Sequence, residues 1–206
     1  MIVIIDYGVG NIRAFTNIYK QLDIPIKIVQ KVEELQGVSK IILPGVGAFD
    51  YAMERLEKSG MRRRLDELAL IDKVPILGIC VGMQMLARSS EEGVLSGLGW
   101  LDGVVKKFDT STIKQTTQLP HMGWNDVYST KGSSLFEGLQ DGARFYFLHS
   151  YYFECDNPED SIATAQYGVD FTCAVNHENI YGIQCHPEKS HSYGIQVLRN
   201  FAELKC

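Results

Sequence analysis

Val74-Pro75-Ile76-Leu77-Gly78-Ile79-Cys80-Val81-Gly82-Met83-Gln84-Met85-Leu86-Ala87-Arg88 changes character at its centre. Up to Ile79 it is a short unbroken apolar run behind a proline, the pattern of a strand buried on both faces. Met83 to Arg88 reads as a helix. Between them Cys80 stands on a sharp strand-to-helix elbow, with Gly78 and Gly82 giving the backbone room to turn. The helix start is expected to aim bare N–H groups at the sulfur, which favours the reactive thiolate.

Working outward, the first half repeats the same alternation. Ile2 to Ile5 predicts a strand, Asn11 to Leu22 a helix that Asn11 caps, and Ile26 to Val29 a second strand. A polar helix is expected near Val32 to Gln36, and a strand over Lys40 to Leu43 that ends at Pro44-Gly45. Phe49 to Lys58 and Arg62 to Ile71 read as helices, with Arg62-Arg63-Arg64 on a solvated face. Strands separated by helices imply right-handed crossovers and a parallel sheet covered on both sides. Sites in such sheets form beyond the carboxyl ends of the strands, which sets Cys80 and Pro44-Gly45-Val46-Gly47 facing one cleft.

The second half reads as β-rich. Gly103 to Phe108, Arg144 to Leu148, Tyr151 to Glu154, Ile162 to Tyr167, Thr172 to Asn176 and Ile180 to Cys185 all look like strands. Short turns join many of them, so antiparallel pairing over one flank is expected. Ser192 to Leu204 closes as a helix, with Ile195, Leu198, Phe201 and Ala202 at helical spacing. The fold class is therefore α/β: a mainly parallel, flavodoxin-like central sheet flanked by helices, with an antiparallel second half. Residues 1–206 are read as one domain.

A net charge of −5 speaks against nucleic acid, because phosphate binding wants a basic face. No run approaches the ~18 apolar residues of a membrane span, and Met1 leads directly into a strand. The five cysteines, at 80, 155, 173, 185 and 206, include no CxxC pair and fit reduced thiols in a cytoplasm. Cys185 beside His186 lacks the spacing by which ligand pairs converge on a metal, so no metal is expected. Gly8-Val9-Gly10 is a turn, since a dinucleotide fingerprint needs a third glycine and a downstream acid.

The elbow is answered far downstream by His186-Pro187-Glu188, which follows the apolar strand Tyr181 to Cys185. Histidine is the side chain whose ordinary pKa suits a base near neutrality, and Glu188 stands close enough to hold its tautomer. Nucleophile, base and orienting carboxylate are the parts of an acyl-transfer site. Val81 N–H, just after the nucleophile, is one candidate oxyanion donor. The Pro44-Gly45-Val46-Gly47 loop is either the second donor or an ordinary strand-to-helix turn. His121 and His149, with no carboxylate two residues on, read as structural histidines.

Gly78-Ile79-Cys80-Val81-Gly82-Met83-Gln84 together with His186-Pro187-Glu188 resembles the class I (triad) glutamine amidotransferases. Asp6-Tyr7-Gly8-Val9-Gly10-Asn11, Pro44 to Phe49, Pro120 to Asn125 and Phe145 to Tyr151 resemble one branch of it. That branch is the glutaminase subunits of imidazole glycerol phosphate synthases, from histidine biosynthesis. The resemblance implies an enzyme that hydrolyses L-glutamine with Cys80, His186 and Glu188 and needs no cofactor. It implies a heterodimer with a (β/α)₈ synthase subunit that receives the ammonia and forms imidazole glycerol phosphate. Val46, Gly47 and Val81 correspond to the oxyanion hole, and Gly47, Gln84, Glu92, Ser150 and Tyr151 to positions that hold glutamine. His121, Met122, Trp124, Tyr146 and Lys189 correspond to positions at or near the partner.

Two features depart from that branch. Val81 stands where leucine is common. Glu188-Lys189-Ser190-His191 and residues 151–157 are more similar to a paralogous group that supplies ammonia to a sugar amidotransferase in surface-polysaccharide synthesis. That acceptor is the first alternative. The others are a cysteine hydrolase, peptidase-like and independent of a partner, and a catalytically silent subunit that keeps the fold.

Overall fold

Ile2–Ile5 (β1), Lys40–Gly45 (β3) and Ile76–Cys80 (β4) are buried along their whole length, as strands covered on both faces must be. The computed structural model describes residues 1–116, 118–130 and 132–204, so Cys206 lies outside the described residues. Ile26–Val29 (β2) pairs with the free side of β1, and helices Ile12–Gln21 (α1), Phe49–Lys58 (α2) and Arg62–Leu70 (α3) make the crossovers. Val81–Gln84 (α4) and the two-residue strand Ser89–Ser90 (β5) follow the elbow.

The second half contributes Gly103–Lys107 (β6), His121–Ser129 (β7), Ala143–His149 (β8) and Tyr151–Cys155 (β9). Ser161–Tyr167 (β10), Val169–His177 (β11), Ile180–Ile183 (β12) and helix His191–Glu203 (α5) complete it. The main path of the sheet runs β2-β1-β3-β4-β12-β11-β10-β7-β8, with β5, β6 and β9 branching from β11. Pairing from β2 to β12 is parallel, and from β12 to β8 antiparallel. The expected α/β class, parallel core and antiparallel flank all hold.

Several elements differ from expectation, each for a local reason. The expected helix over residues 83–88 stops at Gln84: α4 is one turn, and the Met85, Ala87 and Arg88 carbonyls instead accept from the 97–99 loop. The segment after Val32 is a 3₁₀ turn over Val32–Leu35, too short to sustain α pairing. Asn11 occupies the cap position of α1, but its side chain makes no capping bond. β7 was not expected, because His121, Gly123, Asn125 and Asp126 interrupt the apolar alternation. Its pairing with β8 nevertheless runs in unbroken register from His121↔His149 to Val127↔Ala143.

Two packing features position the site. α5 buries Gly194, Val197, Leu198 and Phe201, while the predicted Ile195 is only half-buried. A Cβ on Gly194 would overlap the carbonyl of Pro187, so this glycine lets α5 lie directly on the 186–190 turn. The chain also switches neighbours at Ser150: β8 pairs with β7, and β9, one residue later, pairs with β6.

Candidate active site

β4 lies between β3 and β12, with Gly45 paired to Cys80 and Ile183 to Ile79. The register therefore delivers three chain ends to one place: the thiol, the Val46-Gly47 loop, and the residues leading to His186. Cys80 adopts φ 55° and ψ −114°, a conformation that costs a non-glycine residue roughly 1–3 kcal/mol and is kept where the surroundings dictate it. Those surroundings are backbone. A Cβ on Gly82 would overlap Leu43 O, and one on Gly45 would overlap Gly82 N. The one-turn α4 gives far less dipole than the helix expected after the elbow. As the first residue of that turn, Val81 still carries an N–H without an intrahelical partner.

His186 Nδ1 faces Glu188 Oε1 at 3.0 Å, with both side chains almost wholly buried. Glu188 Oε2 is buried and unpaired, so the imidazole takes the carboxylate's one hydrogen bond among the described residues. Burial works against a charged imidazole, but hydrogen bonds with Cys80 and Glu188, and their charges, outweigh it and raise His186 to about 10. The arrangement suits an imidazolium beside a sulfur nucleophile, one proton ready for a leaving group.

The turn that carries His186 is itself clamped. His186 N–H donates to Tyr146 O at 2.8 Å. Ser190 Oγ donates to His186 O at 2.6 Å and accepts Tyr146 N–H at 3.0 Å. Across the cleft, Tyr7 donates to Pro44 O at 2.6 Å. Burial and the nearby sulfur of Cys80 push the Tyr7 phenol well up, so it remains a donor that holds the end of β3.

The other expected residues fall into two groups. Gly47 has φ +88° with open space around it, and Val46 is exposed, so the loop is free to present its peptide. Glu92 accepts the N–H of Phe49, the first residue of α2, at 2.8 Å, and its charge reaches Tyr151. Gln84 is buried and donates to Tyr151 O at 3.2 Å, while Ser150 O accepts from Phe108 N. Cys80, His186 and Glu188 thus form one hydrogen-bonded line, which Gln84 and Tyr151 join through Gln184.

Trp124 and Tyr146 are opposite each other on β7 and β8, ring centroids 6.1 Å apart. Lys189 Nζ lies 5.3 Å over the Tyr146 ring, and His191 stacks on Trp124 at 5.1 Å. Met122, 61% exposed, and Leu148 extend this apolar row along the same sheet face. His121 does not belong to that surface. It is 4% exposed, stacked on Phe147 and Tyr167, and its Nδ1 meets His149 Nε2 at 3.0 Å. Among the described residues no cluster of His, Cys, Asp or Glu is arranged to hold a metal ion.

A family model described as "Glutamine amidotransferase class-I" matches residues 3–204. The chain is a class I glutamine amidotransferase. It is 58% identical over 204 residues to the imidazole glycerol phosphate synthase subunit HisH of Bdellovibrio bacteriovorus, covering 99% of this chain and 100% of that one. A protein of Pseudomonas aeruginosa, named imidazole glycerol phosphate synthase subunit HisH 2, is 44% identical over 99% of this chain and its own full length. Among solved structures, a putative GMP synthase subunit from Thermoplasma acidophilum superposes with TM-score 0.72 at 25% identity, covering 98% of this chain and 91% of that one.

For this amidotransferase, three residues near the site were not expected from sequence: Ser190, Gln184 and Gly194. A serine, a glutamine and a glycine carry no pattern of their own. The nearest signal was position, since all three lie within eight residues of His186. No helix among the described residues is long and apolar enough to cross a membrane.

Proposed function

We propose that this protein is the cytoplasmic glutaminase subunit of an imidazole glycerol phosphate synthase, with Cys80, His186 and Glu188 as its triad. The observation that carries the reading is the buried Cys80–His186–Glu188 line at the ends of β4 and β12, in a chain of this family. Cys80 Sγ attacks the side-chain amide carbon of L-glutamine. The oxyanion is met by the N–H of Val81 and a peptide of the Val46-Gly47 loop. His186 gives its proton to the departing nitrogen, and ammonia leaves a γ-glutamyl thioester. His186 then takes a proton from water, whose oxygen attacks the thioester and releases glutamate and the thiol. Glu188 keeps the imidazole oriented through Nδ1. Gly47, Gln84, Glu92, Ser150 and Tyr151 line the glutamine side of this cleft.

The ammonia passes to a (β/α)₈ synthase subunit docked on Met122, Trp124, Tyr146 and Lys189. That face suits a partner because aromatic and apolar side chains stand exposed there in a row. Tyr146 O also bonds His186 N–H, so the docked partner sits one peptide from the base.

Glutamate release from glutamine by this chain, mixed with the synthase subunit of the same genome and its phosphoribulosyl acceptor, tests the reading. A large rise with both present is expected, and Cys80→Ser removes it by at least about a thousandfold. Activity at the full rate without a partner would instead favour an independent cysteine hydrolase. Activation only by a sugar amidotransferase would move the acceptor to polysaccharide synthesis.

A further inference from the structure

Gln184 lies between β12 and His186 and is fully buried. Triad chemistry requires no amide there, and burying one is costly unless its hydrogen bonds are met. Its backbone N–H donates to Cys173 O at 2.8 Å, which carries the β11–β12 pairing one residue further. The side chain then turns to the elbow. Oε1 accepts from Gln84 Nε2 at 3.0 Å, and Nε2 donates to Cys80 Sγ at 3.8 Å.

Neighbours decide which end of this amide faces the sulfur. Gln84 Nε2 also donates to Tyr151 O at 3.2 Å. A carbonyl only accepts, so both N–H bonds of Gln84 are committed, and Gln184 must answer the second with its oxygen. A flipped Gln184 would set two NH₂ groups head to head and turn a carbonyl toward the sulfur. The acceptor at the root of this order is itself held. Tyr151 O takes His149 Nδ1–H at 2.8 Å, which leaves His149 Nε2 to accept from His121 Nδ1 at 3.0 Å. His121 Nε2 then accepts from Asn125 Nδ2 at 3.3 Å. Burial keeps both rings neutral, lowering His121 to about 4 and His149 to about 3, so the order of donors does not reverse near neutrality.

We propose that Gln184 is a positioning residue for the nucleophile: Gln84 and the Tyr151 carbonyl aim its N–H at Cys80 Sγ, where it favours the charged sulfur. Donors to ionised groups bind more strongly than donors to neutral ones, so the contact strengthens as the thiol ionises. The other ionisable groups that interact electrostatically with Cys80 are His186, Tyr7 and Cys185. Burial holds Tyr7 and Cys185 neutral, which leaves His186 as the one charged neighbour among these and Gln184 as the neutral donor beside it. The proposal rests on Cys80 being the nucleophile.

Alkylation of the full-length chain by iodoacetamide, followed at the Cys80 peptide by mass spectrometry, needs neither glutamine nor partner. Wild-type Cys80 reacts ahead of Cys155, Cys173 and Cys185. Gln184→Met, close in shape but without a donor, slows Cys80 about tenfold at neutral pH, and the two rates converge at alkaline pH. In the assembled enzyme the same variant lowers kcat and leaves the KM for glutamine unchanged. An unchanged neutral rate in folded Gln184→Met overturns the proposal, and so does a slowing equal at every pH, which reports access and not charge. Should Gln184→Met fail to fold, Gln84→Met frees the Gln184 amide and slows Cys80 severalfold; a wild-type rate there overturns the proposal too. Wild-type Cys80 reacting no faster than the other thiols would instead overturn the nucleophile reading and this proposal with it.

Discussion

Ser190 uses both halves of its hydroxyl on the 186–190 turn, accepting from Tyr146 N–H and donating to His186 O while fully buried. Ser190→Ala strands the buried Tyr146 N–H, at a cost of about 1–3 kcal/mol, while His186 O keeps the N–H of Lys189. Urea unfolding should show a loss in that range, and steady-state kinetics a fall in kcat with little change in KM. Equal stability would mean the turn is held by its neighbours alone. His186 offers a second test. Its folded pKa, about 10, lies above its ordinary value of 6.5, so its contribution to stability is complete below 6.5 and is lost as pH rises through about 10. Cys80→Ala removes one of the two groups that raise it. NMR titration of His186 in that variant should therefore give a midpoint below the wild-type one. At this scale the sequence was legible only where chemistry is local. Cys80 announced itself by flanking glycines, and Glu188 by standing two residues from His186. Gln184 and Ser190 act on atoms that are far off in the chain, so no spacing revealed them.

Among the elements, α5 shows how a single missing side chain sets the 186–190 turn. Gly194→Ala forces the helix and Pro187 apart, because the added Cβ meets backbone that cannot give. The expected outcome is a lowered melting temperature together with loss of glutaminase activity, and normal activity at lowered stability would separate the helix from the turn. The strands of the parallel core were legible, since Ile2–Ile5 and Ile76–Cys80 are unbroken apolar runs. β7 was not. Its outward positions carry Met122 and Trp124, and its inward ones include His121, so the polarity code was inverted. The helix after Cys80 was over-read for the opposite reason: Met83, Met85 and Leu86 are apolar because the whole segment is buried, not because one face is.

For the molecule as a whole, the buried pair His121 and His149 makes stability depend on acid. Their folded pKa values, about 4 and about 3, lie below the ordinary 6.5. The unfolded chain therefore takes up protons first, and stability falls as pH drops from 6.5 toward 4. The slope is at most about 1.4 kcal/mol per pH unit for each histidine. His121→Gln should make the measured slope of unfolding free energy shallower by up to that amount, and an unaltered slope would exclude the ring from the acid response. Partner binding belongs to the same scale. Trp124→Ala removes the largest exposed ring of the β7–β8 face and should weaken the complex at least about tenfold by calorimetry. An unchanged Kd would move the interface elsewhere.

The pairing of Gly45 with Cys80 has a consequence for how this protein can diverge. Cys80 and the loop proposed to complete its oxyanion hole start from neighbouring positions of one ladder, so their separation is set by register and not by the length of chain between them. Insertions or losses around α3, or in the turn that returns to β4, change the outline of the molecule and leave the reacting atoms where they are. A lineage can therefore remodel that flank under selection for solubility, temperature or a new neighbour without reopening the chemistry. The tolerance ends at the ladder itself: a slip of one residue in β3 would replace Gly45 opposite Cys80 with a side chain that has nowhere to go.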